Sequence, residues 1–121
     1  MAVVPTTTDP APVITPPAIP AKPQDCSAVN AYDWDTRTAY AICMAESGGV
    51  ASKDNAGLNR DGSTDYGLMQ INSIHADMVD GNLERLRDPQ VNIKVAYSIS
   101  RAVTDWTAWS AYNNGKYKQF L

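Results

Sequence analysis

The sequence predicts a mainly helical α+β domain with a small β-hairpin subdomain and a cleft between the two parts. Two observations carry this. Helix-patterned segments near residues 36–45 and 89–104 flank a stretch, Val50 to Asn72, in which Asn, Asp, Gly and Ser replace the apolar periodicity. The 121 residues leave room for one domain.

The chain opens on material that cannot pack. All but one of its eight prolines lie within the first 23 residues, among Thr, Ala and Val, as in Pro5-Thr6-Thr7-Thr8 and Ile14-Thr15-Pro16-Pro17. Such a composition favours extended polyproline-like backbone. Residues 1–24 therefore read as a tether or a proline-rich docking ligand, and residues 25–121 as the folded domain, which suffices for a modest core. Met1-Ala2-Val3-Val4 is too short for the apolar part of a signal peptide, and no apolar run reaches membrane-spanning length.

The first helix is expected from Asp35, an N-cap, through Thr36 to Ala45, with Ala39, Ile42 and Cys43 on its apolar face. Glu46 falls four residues after Ile42, so the helix aims it along the inner face. Gly48-Gly49 ends the helix just beyond it. Desolvation there raises a carboxyl pKa; an exposed Glu at a fraying end is the other reading. Asp61-Gly62-Ser63 is a hairpin signal, flanked by short strands or turns at Thr64-Asp65-Tyr66 and Met69-Gln70-Ile71-Asn72. Short helical pieces follow over Ser73 to Gly81 and Asn82 to Arg87. Asp88 caps and Pro89 opens a longer helix to about Thr104, burying Val91, Val95, Ile99 and Val103 with Tyr97 and Ala102 beside them. Trp106-Thr107-Ala108-Trp109 begins a last short helix through Tyr112. Glu46 and Asp65 come from opposite sides of the boundary between the lobes.

Two carboxylates in unlike surroundings are what a glycosidase requires, one protonated as the acid and one ionised opposite the developing positive sugar. The net charge of −3 and the lack of a basic block argue against nucleic acid as partner, and against long-range attraction to an anionic wall. Cys26 and Cys43 flank the first helix; they either form a disulfide, worth about 3 kcal/mol on the chain-entropy model, or remain a buried and an unpaired thiol. Asn59, Asp61 and Gly62 suggest a calcium loop only faintly, because Leu68 stands where its closing Glu belongs, so no metal is expected. His75, the single histidine, reads as a surface or packing residue.

Ala45-Glu46-Ser47-Gly48, Gly67-Leu68-Met69-Gln70 and Ala111-Tyr112-Asn113 resemble the three signature stretches of soluble lytic transglycosylase domains of the lysozyme-like superfamily. Asn59 through Gly67 with Gln70-Ile71-Asn72-Ser73 is similar to the hairpin of animal-type lysozymes, and Ala108-Trp109-Ser110-Ala111 to the segment that sets a Trp against their catalytic Glu. The matches run in order over about residues 35 to 115.

The resemblance implies a lysozyme-like fold and cleavage of the β-1,4 bond between N-acetylmuramic acid and N-acetylglucosamine in peptidoglycan. Glu46 would be the general acid and Trp109 its apolar wall. Asp65 implies hydrolysis if it acts as the second carboxylate, and caps a turn otherwise. The transglycosylase motifs imply intramolecular closure of a 1,6-anhydro ring. Gln70, Asn72, Tyr112 and Asn113 are assigned to substrate; Ser47 either joins them by steadying Glu46 or caps the helix end. No cofactor is implied. Lytic transglycosylase leads and hydrolytic muramidase follows; a non-catalytic glycan-binding module or a structural helical domain are the remaining alternatives. The expected setting is extracellular or at the cell wall, as a secreted domain or a phage protein, monomeric or tethered to a larger protein.

Overall fold

A computed structural model describes residues 25–55, 59–103 and 105–121, without the side chains of residues 102 and 103. The tether expected over residues 1–24, and the core positions expected for Ala102 and Val103, lie outside what is described. The architecture is mainly helical with one small antiparallel sheet, the predicted α+β arrangement.

Helix α1, Thr36–Ser47, runs through the centre. Asp35 starts it by accepting from the Thr38 backbone N–H and hydroxyl. Gly48 ends it at φ +65°, where its N–H donates to the Met44 carbonyl. Ala39, Ile42 and Cys43 are fully buried, and small residues let neighbours approach closely. A 3₁₀ turn at Ser27–Ala31 is tied to α1 by the Cys26–Cys43 disulfide, whose cysteines are also fully buried. A C-terminal 3₁₀ turn at Lys116–Phe120, for which the sequence carried no expectation, packs along α1. There Tyr117 stacks on Tyr112 at 5.0 Å.

The sheet pairs β1, Asp65–Tyr66, with β2, Ile71–Asn72, in the register Asp65 to Asn72 and Tyr66 to Ile71. The turn between these strands is Gly67 to Gln70, so the hairpin signal at Asp61-Gly62-Ser63 belongs elsewhere. It marks the loop that returns the chain from Asp54, which bridges to Tyr66, into β1. Gly67 has φ +73°, and a Cβ there would lie 2.4 Å from the Leu86 carbonyl oxygen and 2.5 Å from Asn92 Nδ2. Only glycine fits this crossing.

Helix α2, Pro89–Val103, is capped by Asp88, whose Oδ1 accepts from the Gln90 and Val91 N–H groups. Its inward face differs from the expected one. Val95 is buried, but Val91 and Ile99 are half-buried, and the fully buried positions are Asn92, Ile93 and Ala96. The hairpin, the 3₁₀ turn at Leu83–Arg87 and the N-terminal 3₁₀ turn all cover this helix, so no single stripe faces the core. Asn92 fastens the hairpin to it. Asn92 Oδ1 accepts from the Met69 N–H at 2.9 Å, and its Nδ2 donates to the Tyr66 and Leu86 carbonyls at 2.8 Å each. The last helix, α3, is shorter than expected, Ser110–Asn113, because Trp106 to Ala108 form a turn in which Asp105 accepts from the Thr107 N–H and hydroxyl.

Candidate active site

A cleft of about 480 Å³ separates the helical part from the hairpin. Glu46 enters from the last turn of α1, beside Ile99, Ala108, Trp109 and Ser110. The opposite wall carries Asp65 from β1 and Asn72 from β2, with Asn59, Arg60, Ser63, Gln70 and His75 around them.

Glu46 is half-buried. Its Oε2 accepts from the Ala111 N–H at 3.0 Å and, weakly, from the Ser110 hydroxyl at 3.5 Å. Burial pushes its carboxyl above the usual range, and the Asp65 charge across the cleft adds to the rise. The Ala111 and Ser110 donors and the Lys53 cation oppose the shift without cancelling it. Lys53 also donates to the Glu46 carbonyl at 3.1 Å, clamping the helix end that carries the acid.

Trp109 is buried against the cleft floor, and its indole N–H donates to the Met69 carbonyl at 2.8 Å. That bond ties the wall beside Glu46 to the hairpin turn, so Trp109 belongs to the core and to the cleft at once.

Asp65 does not cap a turn. Its Oδ1 accepts from Asn72 Nδ2 and its Oδ2 from Asn55 Nδ2, both at 2.9 Å, so side-chain amides hold both oxygens. Asn72 Nδ2 also donates to the Ser63 hydroxyl, and its Oδ1 accepts from the Ile74 N–H. Asn59 joins this network by donating to Ser63 and accepting from Asn55. The amides fix the orientation of the carboxylate. One wall thus presents a carboxyl inclined to hold its proton, the other a fixed anionic acceptor. That pairing suits acid-assisted cleavage of an acetal through a cationic transition state.

The remaining expected site residues divide. Gln70 lines the cleft, but its Nε2 donates to the Gly67 and Lys53 carbonyls, supporting a turn where Gln70 itself has φ +49°. Ser47 is no part of the binding surface. It is buried, its hydroxyl donates to the Cys43 carbonyl and accepts from the Gly49 N–H, and so it caps α1. Tyr112 and Asn113 do not line the cleft either. Tyr112 stacks on Tyr117, and the Asn113 amide donates to the Thr107 carbonyl. His75, expected on the surface or in packing, is half-buried in the cleft wall.

Sequence reasoning missed Asn55, Ser63 and Lys53 as site residues. Their only signal was a run of turn-forming types, which serves loops and polar networks alike. Among the described residues no group of three His, Cys, Asp or Glu side chains is placed to hold a metal ion.

Comparison with known proteins gives a consistent picture. A family model described as a lysozyme-like domain matches residues 26–111. The chain is 38% identical over 103 residues to Invasion protein IagB of Salmonella typhimurium and of Salmonella typhi, covering 75% of this chain and 62% of theirs. It is 36% identical over 91 residues to a Peptidoglycan-binding-like protein of Escherichia coli O157:H7, covering 62% of this chain and 53% of that one. The chain therefore spans less than two thirds of the length of these relatives. No solved structure matches it at comparable significance.

Proposed function

The chain belongs to the lysozyme-like domain family, and from that premise we propose that it cleaves peptidoglycan glycan strands between N-acetylmuramic acid and N-acetylglucosamine, with Glu46 as general acid. The observation that carries the proposal is Glu46 itself: a half-buried carboxyl with raised pKa, facing an amide-held Asp65 across an open cleft. The name of one relative, Peptidoglycan-binding-like protein, supports the substrate class.

In this reading Glu46 gives its proton to the glycosidic oxygen as the bond to the muramic C1 breaks. The positive charge that develops at C1 is stabilised by Asp65. Glu46, now a carboxylate, takes the proton of the incoming hydroxyl. For a lytic transglycosylase, the leading reading, that hydroxyl is the substrate's own C6–OH, and a 1,6-anhydro ring closes. Asp65 then serves as a fixed charge, for which amide donors on both oxygens suit it better than they would suit a nucleophile. Hydrolysis is the second reading, favoured by the presence of a carboxylate at this place at all. Trp109, Gln70 and Asn72 form the substrate-facing surface. The disulfide fits action in the periplasm or outside the cell.

Mass spectrometry of soluble fragments from purified peptidoglycan tests both levels. Release should fall at least a hundredfold in Glu46→Gln, in line with the loss of a general acid; near-normal release by that variant would end the proposal. Fragments ending in 1,6-anhydromuramic acid support ring closure, and reducing muramic ends support water.

A further inference from the structure

The cleft collects three carboxylates, Glu46, Asp61 and Asp65, in a chain of net charge −3. One guanidinium shares it, that of Arg60. Lys53 is engaged on the Glu46 carbonyl, Arg87 on Asp54 and Glu84, and Arg101 on Tyr97 and Asp33, while Arg37, Lys94, Lys116 and Lys118 do not line the cleft. Arg60 is exposed and, among the described residues, donates no hydrogen bond and forms no ion pair. Its neighbour Asp61 is already committed, because Asp61 Oδ1 accepts from the Ser63 N–H and hydroxyl. Glu46 has its own donors in Ser110 and Ala111 and its own nearby cation in Lys53, so Arg60 is not needed to tune the acid.

A planar cation with five donors, unspent and lining a binding cleft, matches a planar anion on the ligand. Resting on the peptidoglycan reading above, we propose that Arg60 is a specificity-determining residue that pairs with a carboxylate of the glycan strand. That carboxylate is either the free lactyl group of muramic acid or a carboxylate of the attached stem peptide. The pair offsets the repulsion that the anionic cleft exerts on an anionic substrate, and it biases binding toward strands that carry the acid over neutral ones.

The test separates binding from turnover. Calorimetric titration uses the Glu46→Gln protein with and without Arg60→Gln. The ligands are peptide-free and peptide-bearing strand fragments, each with native carboxylates or with carboxyls converted to neutral amides. At low salt, acidic fragments should bind about three- to fivefold more tightly than their amidated forms, as expected for an exposed ion pair. Arg60→Gln should remove the preference, Arg60→Lys should retain part of it, and added salt should shrink it. A preference among peptide-free fragments identifies the lactyl carboxylate; one confined to peptide-bearing fragments identifies the stem. Equal affinity for acidic and amidated ligands in the parent, or a preference that survives Arg60→Gln, overturns the proposal. Failure of the enzymatic reading appears separately, as wall digestion without released fragments by the unmutated chain.

Discussion

Replacing Asn92 with Leu tests the link between helix packing and site geometry. The side chain is fully buried and makes three hydrogen bonds, one accepted from the Met69 N–H and two donated to the Tyr66 and Leu86 carbonyls. Leu repeats the branched heavy-atom shape and is somewhat larger, so no cavity opens and the polar loss sets a lower bound on the cost. One donor and two acceptors are left around a fully buried apolar side chain. At about 1 to 2 kcal/mol for each of the three orphaned groups, the loss is about 3 to 6 kcal/mol. Against a total stability of roughly 5 to 15 kcal/mol for a small domain, that should lower Tm by about 15 to 30 °C. The damage should concentrate where the bonds act, because Tyr66 leads into the turn between β1 and β2 and Met69 lies within it. Thermal unfolding by circular dichroism measures the first effect, and hydrogen exchange at the Met69 amide the second. A loss below about 1 kcal/mol, or a Met69 amide as protected as before, would refute the assignment of Asn92 as the fastener of the hairpin.

Glu46 carries a signed prediction about stability. Its folded pKa lies above the ordinary value, mainly through burial, so the folded state holds the proton more tightly than the unfolded chain. The cost of ionising it is absent below the unfolded pKa, grows as pH rises through the folded one, and stays constant above that. Glu46→Gln should therefore raise Tm at pH 7 relative to the unmutated protein, with the gain closing at or below about pH 4; an equal gain at both pH values would contradict the burial argument. The Cys26–Cys43 bond closes a loop with a sequence separation of 17, worth about 3 kcal/mol. A Cys26→Ser/Cys43→Ser protein should lose about that much in urea denaturation, and reductant should act on the unmutated protein only as fast as it unfolds, since both cysteines are fully buried.

Much of the framework was legible in the sequence because its signals are local. Asp35 and Gly48 bound α1 through backbone needs that a cap and a left-handed residue meet wherever they stand, and Asp88-Pro89 opens α2 for the same reason. The order of elements followed, and with it the lobes from which Glu46 and Asp65 come. The hairpin was less legible. Its strands are two residues each, too short for alternation to show, and its turn is set by the close crossing of Gly67 over Asn92.

The site shows the same division at finer scale. Sequence order and residue type were enough to put a Glu at an inner helix end and an Asp in the turn-rich segment. They were not enough to say what each carboxylate would meet, since the deciding contacts cross the fold. Glu46 accepts from the N–H of Ala111, Asp65 from the side-chain amides of Asn55 and Asn72, and the Met69 N–H donates to Asn92 Oδ1. Ser47 and Tyr112 belong to the motifs yet do not line the cleft, because Ser47 completes its own helix end and Tyr112 stacks on Tyr117. Caps, turns and helix starts are short-range properties of the backbone and can be read in place. Which carboxyl is desolvated, which is held by amides and which cation is left unpaired depend on partners brought close only when the chain has folded.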